Sequence, residues 1–143
     1  MKVLVKNTMT AAEFQQMSKK GEVKQKKKRN HPESELQQAC IEYFDAQYPK
    51  YRLNLLAIAN GGSRSKTEAA IMHGEGVRAG ASDLLLAIRG HTVFIEMKAG
   101  KGKQSPAQIL FQEAIEKEGH KYVVIWSVDE FVELMNGYLK QKR

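Results

Sequence analysis

The chain of 143 residues has little cysteine, little proline and no long apolar run. Its one cysteine, Cys40, cannot form an internal disulfide, which agrees with a reducing compartment. No stretch approaches the ~20 apolar residues that a membrane span requires, and the N-terminus lacks the apolar core of a signal peptide. We therefore expect a soluble cytoplasmic protein with no membrane partner, in which Cys40 packs as an inert side chain.

Acidic residues are scarce at the N-terminus. Residues 1–29 contain nine Lys or Arg and two Glu, whereas the rest of the chain has 14 basic and 14 acidic residues. This distribution predicts a flexible basic arm over residues 1–30 that contacts the phosphates of a polyanion through Lys26, Lys27, Lys28 and Arg29. A solubilising tail with no specific partner is the alternative. Residues 31–143 are long enough to form one domain with its own core.

Helical and strand patterns alternate along residues 31–143. The predicted elements are helix 32–48, strand 52–58, helix 66–73, strands 84–88 and 92–95, helix 106–118, strand 122–126 and helix 128–139. Turns are predicted at 60–63, 74–81 and 100–102, and a further short helix at 10–17. This order predicts an α/β fold with a central mixed sheet flanked by helices.

Two acidic residues and one lysine lie at the ends of the strands 84–88 and 92–95. A two-residue loop, Gly90-His91, would make Asp83 and Glu96 diagonal neighbours on one face of the hairpin, with Cα atoms roughly 7–8 Å apart. Lys98 would lie beside them. A loop with an odd number of residues would instead move Asp83 to the opposite face.

Converging carboxylates repel each other and are costly to bury unpaired, so this arrangement requires a cation. Lys98 could supply it in a half-buried salt bridge. The alternative is a divalent ion, and the oxygen ligands, with no paired His or Cys nearby, favour Mg²⁺ or Mn²⁺ over zinc. The backbone carbonyl of Met97 would be a further ligand. The four histidines show no ligand spacing, and we expect them at the surface or in loops.

Two more side chains are candidates for the same centre. Glu33 shares the inward face of helix 32–48 and is the preferred third acid, although a first-turn Glu also interacts favourably with the helix dipole. Gln37, one turn later, could bond to Glu33 or to a metal-bound water. Gln108 belongs to a capping box that begins at Ser105, which would explain it without any role in catalysis. Asn60, Arg64 and Arg78 lie in or beside glycine-containing turns and could approach phosphates.

Several segments, taken in order, resemble one known family. Ser82-Asp83 followed by Ile95-Glu96-Met97-Lys98 resembles the PD-(D/E)XK nuclease signature, with serine in place of the usual proline. The wider pattern resembles a stand-alone VRR-NUC domain of the kind carried by phages and prophages. The matching segments are 33–37, 60–62, 76–84, 95–98 and 105–108.

The resemblance implies a restriction-endonuclease-like αβββαβ core and a Mg²⁺- or Mn²⁺-dependent endonuclease that hydrolyses DNA phosphodiester bonds. Glu33, Asp83, Glu96, Lys98 and Gln108 would be its catalytic residues. It also implies a homodimer selective for branched DNA such as Holliday junctions, with no small-molecule cofactor, in the bacterial host cytoplasm if phage-encoded. One alternative is an inactive DNA-binding module that clamps junctions. Another, weaker alternative is a restriction-like enzyme that recognises a sequence.

Overall fold

The computed structural model describes residues 31–59 and 64–140. The predictions for a helix at 10–17, the basic arm with Lys26, Lys27, Lys28 and Arg29, and the turn at Asn60 fall outside these residues. In chain order the elements are α1 (Pro32–Gln47), a 3₁₀ helix (Pro49–Asn54), β1 (Leu55–Ala57), α2 (Lys66–Gly74), β2 (Leu84–Ile88), β3 (His91–Met97), α3 (Pro106–Lys117), β4 (Lys121–Ile125) and α4 (Val128–Leu139).

The sheet has four strands in the order β1-β2-β3-β4. Its first two pairings are antiparallel and the third, between β3 and β4, is parallel. A parallel pair needs a crossover connection, and α3 provides it between β3 and β4. The described part of the chain is therefore a mixed sheet flanked by helices, as the sequence predicted.

The predicted strand 52–58 is only partly correct. Pro49 begins a 3₁₀ helix after α1, and this helix extends to Asn54. The Arg52 guanidinium forms an ion pair with Asp45 of α1, with Nε 3.1 Å from Oδ2. The Asn54 side chain donates to the Ala87 carbonyl at 2.8 Å. Local turn geometry and these polar contacts therefore leave only three residues, Leu55–Ala57, in the strand.

The hairpin loop is Arg89-Gly90 rather than the predicted Gly90-His91. Both loop residues have positive φ, 49° and 78°, as a type I′ turn requires. His91 therefore begins β3. The observed pairs are Leu84 with Ile95, Leu85 with Phe94, Leu86 with Val93, Ala87 with Thr92 and Ile88 with His91.

This register differs from the predicted one by two positions, an even number, so the predicted faces are preserved. Continued by one step, it brings Asp83 opposite Glu96 instead of diagonal to it. The correction therefore brings the two acids closer together than the sequence predicted.

One face of the sheet packs against α1 and α4 around a buried apolar cluster. Its largest members with no exposed surface are Phe44, Leu84, Leu86, Ile95, Met97, Phe131 and Met135. Cys40 lies in this cluster, and burial raises the pKa of its thiol to about 11, which agrees with inert packing. On the other face, Phe94 of β3 contacts Phe111 of α3, with ring centroids 5.5 Å apart.

Helix α2 differs from the other helices that flank the sheet. A complete capping box fixes its first turn, yet all of its nine residues except the half-buried Met72 are exposed, whereas α3 has several half-buried side chains. Among residues 31–59 and 64–140, no helix has the length and apolar character needed to cross a lipid bilayer.

Candidate active site

Glu96 and Lys98 lie at the end of β3 and are almost completely buried, with 2% and 6% of their surface exposed. The Lys98 ammonium donates to Glu96 Oε1 at 2.8 Å. The salt bridge that the sequence offered as an alternative is therefore present. Burial at this level makes the pair costly to desolvate, so stability alone is a weak explanation for it.

Asp83 immediately precedes β2, and its Oδ2 accepts the backbone N–H of Met97 at 2.7 Å. In an extended strand the N–H and C=O of one residue point to the same side, so the Met97 carbonyl also faces the Asp83 side. The residue before the acid, Ser82, is fully buried and its hydroxyl donates to the Leu84 carbonyl at 3.1 Å. Serine therefore makes its own local contact at the position where the resembled family usually has proline.

Gln108 both completes the capping box of α3 and contacts the Glu96 carboxylate. Its backbone N–H donates to Ser105 Oγ at 3.2 Å and its Oε1 accepts the Ser105 N–H at 2.8 Å, which completes the capping box of α3. Its Nε2 donates to Glu96 Oε1 at 2.6 Å. The helix start therefore carries an amide donor directly to the buried carboxylate.

Gly80 brings the loop before Asp83 against the start of α3, whereas the sequence predicted only a turn that could approach phosphates. Its φ is +83°, and a Cβ at this position would lie 2.3 Å from the Ala107 carbonyl oxygen. Only glycine fits, because a side chain would meet backbone atoms that cannot move away. An isolated glycine in a loop is a sequence signal for close approach, but it does not identify the partner.

Glu33 reaches the same region from the first turn of α1, although it is exposed. Gly102 lies close to both Glu33 and Lys98, since a Cβ at Gly102 would be 3.3 Å from Glu33 Oε1 and 3.6 Å from Lys98 Cδ. Gln37 is different, since no hydrogen bond links it to Glu33 in the described structure. It lines a separate shallow cavity of about 270 Å³ with Ser34 and Ile41.

The carboxylates lie in surroundings that disfavour their charge. Burial raises the pKa of Asp83, opposed by the Met97 N–H and by Lys98, and Glu33 adds to the increase. Burial also raises the pKa of Glu96, although the hydrogen bond from Lys98 opposes it, while Asp83 and Glu33 increase it further. One lysine therefore does not compensate the acids for burial and mutual repulsion.

Glu96 Oε2 is buried and has no hydrogen-bond partner within the described residues. Both Lys98 and Gln108 donate to the other oxygen, Oε1. In residues 31–59 and 64–140, no three acidic, His or Cys side chains converge into a complete metal cage. The ligands that fit a hard divalent ion are therefore the unpaired Glu96 oxygen, the Asp83 carboxylate and the Met97 carbonyl, with Glu33 nearby.

The other predicted DNA-binding residues within the described part of the chain, Arg64 and Arg78, contact α2. The Arg64 guanidinium contacts the Met72 sulfur, and Arg78 donates to the His73 carbonyl at 3.2 Å, so both arginines are attached to α2. The four histidines are exposed, as predicted.

Comparisons with known proteins agree with this architecture. No protein-family model and no curated protein matched the sequence. A solved structure named "VRR_NUC domain protein" is similar at a TM-score of 0.63 and 26% identity, over 78% of this chain and 91% of that one. A second, named "VRR_NUC domain", matches with 28% identity over 74% of this chain and 96% of that one, at a TM-score of 0.49.

The sheet and its flanking helices have a restriction-endonuclease-like α/β fold, the fold of a nuclease domain. The similarity to the solved structure named "VRR_NUC domain protein" supports the VRR-NUC resemblance that the sequence motifs predicted.

Proposed function

We propose that this protein is a divalent-metal-dependent endonuclease that hydrolyses DNA phosphodiester bonds. One observation carries the proposal: the buried Glu96 Oε2 has no hydrogen-bond partner in the described residues. The Asp83 carboxylate accompanies it at the same strand end. A buried acceptor of this kind is costly unless a cation satisfies it, and Lys98 and Gln108 both act on the other oxygen.

Asp83, Glu96 and the Met97 carbonyl would hold Mg²⁺ or Mn²⁺, and Glu33 would contribute through water. When bound, the ion would supply positive charge to the scissile phosphate and make the attacking water more acidic. Lys98 would either remove a proton from that water or stabilise the negative charge of the transition state, and both roles stay open. Gln108 would orient Glu96 by its 2.6 Å hydrogen bond.

For the substrate, we propose branched DNA such as a Holliday junction, bound by a homodimer. A two-fold dimer would present one centre to each of two symmetry-related strands. Leu53 of the 3₁₀ helix and Leu56 of β1 are 92% and 47% exposed, and a second copy could cover them. Lys26, Lys27, Lys28, Arg29, Asn60, Arg64 and Arg78 would contact phosphates.

The test is a titration of Mg²⁺ and Mn²⁺ with the full chain on four-way, flap and linear DNA, together with native mass measurement of the subunit number. We expect metal-dependent cleavage that is fastest on the four-way substrate. Asp83→Ala and Lys98→Ala should abolish cleavage, whereas Lys66→Ala, which removes an exposed lysine of α2, should not. Undiminished metal-dependent cleavage by both site variants would end the assignment.

A non-catalytic module that binds and clamps junctions is the second candidate. It is favoured by the 2.8 Å ion pair, in which Lys98 already neutralises one oxygen of Glu96. It would bind four-way DNA with unchanged affinity in Mg²⁺ and in EDTA, and no product would form. The same substrate panel therefore separates the two candidates.

A further inference from the structure

An open cavity of about 640 Å³ lies at the β4 edge of the sheet, where the segment between β3 and α3 meets the end of β4. Its lining combines two lysines with one large aromatic ring. The lining residues are Lys101, Gly102, Lys103, Gln104, Val124 and Trp126. Its volume lies within the range of about 300–1,000 Å³ that is usual for small-ligand sites.

The lysines in this lining are uncompensated cations. Lys101 and Lys103 are both exposed, and no carboxylate in residues 31–59 and 64–140 forms an ion pair with either. Their charge is therefore available to an anionic group that enters the cavity. Phosphate is such a group, and lysine binds it as a flexible point charge.

Trp126 is the only tryptophan of the chain, and 43% of its surface is exposed. Its backbone N–H is fixed by Glu130 Oε2 at 2.7 Å, at the first turn of α4. Within the described residues its ring stacks on no other ring and its indole N–H has no acceptor. An aromatic residue with a fixed backbone and an uncovered ring is suited to stacking on a ligand.

The cavity adjoins the carboxylates. Val124 pairs with Glu96 in the β3–β4 ladder, and Trp126 follows two residues later, so the Glu96 and Trp126 Cα atoms are about 8 Å apart. Gly102 joins the two regions, since a Cβ there would contact both Glu33 Oε1 and Lys98 Cδ. A nucleotide in the cavity would therefore neighbour a phosphate held at the carboxylates.

We propose that this cavity binds an unpaired nucleotide of the DNA substrate, with its base stacked on Trp126 and its phosphate beside Lys101 and Lys103. The inference rests on the proposed nuclease function and adds the physical basis of substrate choice. Inside a duplex both faces of a base are covered by its neighbours, so an indole reaches only a base at an end, in a loop or at a branch. The cavity thus selects DNA with unstacked bases.

The single tryptophan provides a direct test with the full chain. Its fluorescence is measured in EDTA during titration with a single-stranded oligonucleotide, and separately with a covalently closed circular duplex, which has neither ends nor loops. We expect the single strand to quench the emission to saturation and the closed duplex to leave most of it. Unchanged emission with a saturating single strand, or equal quenching by both DNAs, would overturn the proposal.

Trp126→Ala tests the same point by affinity, measured from the anisotropy of labelled DNA. Stacking on one base corresponds to about a tenfold or larger loss in affinity for single-stranded and four-way DNA, with the closed duplex unaffected. Trp126→Phe should retain most of the affinity. The matched control is Leu110→Ala, which truncates a 66% exposed apolar side chain on α3. Equal affinity of Trp126→Ala and wild type for every DNA would refute the role of the ring.

Lys101→Gln and Lys103→Gln test the phosphate contact. Each should reduce the slope of log affinity against log salt by about 0.7 for single-stranded DNA, whereas Lys66→Gln should not change it. Slopes equal to wild type in both variants would refute the contact. Metal-dependent cleavage is measured separately: cleavage without quenching refutes only this inference, and quenching without cleavage refutes only the nuclease function.

Discussion

Helices α2 and α3 both begin with a capping box, but within the described part of the chain the side chain that completes the box has a second hydrogen-bond partner only in α3. In each, a serine before the first turn bonds to the residue three positions later, which is Glu68 in α2 and Gln108 in α3. The Glu68 carboxylate accepts from the N–H and hydroxyl of Ser65 and makes no other hydrogen bond among the described residues. Gln108 accepts from Ser105 through its oxygen and donates to Glu96 through its nitrogen.

The difference shows how one residue serves two purposes. A capping box accepts either Glu or Gln, because only an acceptor oxygen is required. Beside a buried carboxylate a second carboxylate would repel, whereas an amide supplies a donor without changing the charge. The centre therefore uses the rigid start of α3 as a support, while the same arrangement in α2 fixes only an exposed helix.

The largest expected difference is between two glycines in the loop that joins α2 to β2. Gly76 lies beside α2, and Gly80 lies against α3. Gly76 follows α2 with φ +102°, and a Cβ added there would have no atom within 4 Å, whereas a Cβ at Gly80 would meet the backbone of Ala107 in α3. Gly76→Ala should lower the free energy of unfolding by about 1–2 kcal/mol through backbone strain alone. Gly80→Ala adds overpacking and should lower it by about 4 kcal/mol in urea denaturation. Equal losses would show that α3 does not depend on this close approach.

Gln108→Glu should have the next largest effect. The cap is retained, because the new carboxylate still accepts from Ser105, but it repels Glu96. Cleavage should fall about 100-fold. Glu68→Gln in α2, the reciprocal exchange, should leave cleavage unchanged. Initial rates on four-way DNA provide the measurement, and full activity of Gln108→Glu would remove the hydrogen bond to Glu96 from the account.

Removing each side chain separates capping from the contact with Glu96. Gln108→Ala and Glu68→Ala should each lower the free energy of unfolding slightly, since each removes the N3 side chain from one capping box. Only Gln108→Ala should also slow cleavage, by about tenfold. If both variants slow cleavage equally, the effect comes from helix stability rather than from orientation of the carboxylate.

Glu68 and Glu96 should make the stability of the protein depend on pH in opposite ways in the absence of metal. The pKa of Glu68 is lowered by the bonds from Ser65, so its contribution to stability is lost as the pH falls. The pKa of Glu96 is raised by burial, so stability is lost as the pH rises from the ordinary carboxyl range into the raised one. Glu96→Gln should flatten that second loss in urea denaturation with EDTA, and Glu68→Gln should not. An unchanged profile for Glu96→Gln would contradict the assigned environment.

The sequence predicted the helices well where proline or a capping serine marks the start or the end of the element. Pro32 and Pro49 delimit α1, and Ser105-Pro106 begins α3, because proline restricts its own φ and the residue before it. The hairpin loop was wrong by one residue, since Arg89 adopts a positive φ that non-glycine residues rarely take. The parity of the register was still correct, and it placed Asp83 and Glu96 on one face.

Contacts between distant segments could not be predicted in the same way. The packing of Gly80 on Ala107 and the position of Trp126 beside Gly102 depend on how loops meet after the sheet has formed. The unpaired oxygen of Glu96 is likewise a property of the assembled site. The sequence placed Asp83 and Glu96 on one face, whereas only the structure shows that Glu96 Oε2 is the oxygen without a hydrogen-bond partner in the described residues.

The most direct test of the central claim is Mn²⁺ binding by calorimetry, with the full chain and no DNA. We predict that wild type and Glu68→Gln bind Mn²⁺ with the same affinity, and that Asp83→Asn and Glu96→Gln each bind it at least about tenfold more weakly. Equal Mn²⁺ affinity in all four proteins would contradict a metal site formed by Asp83 and Glu96.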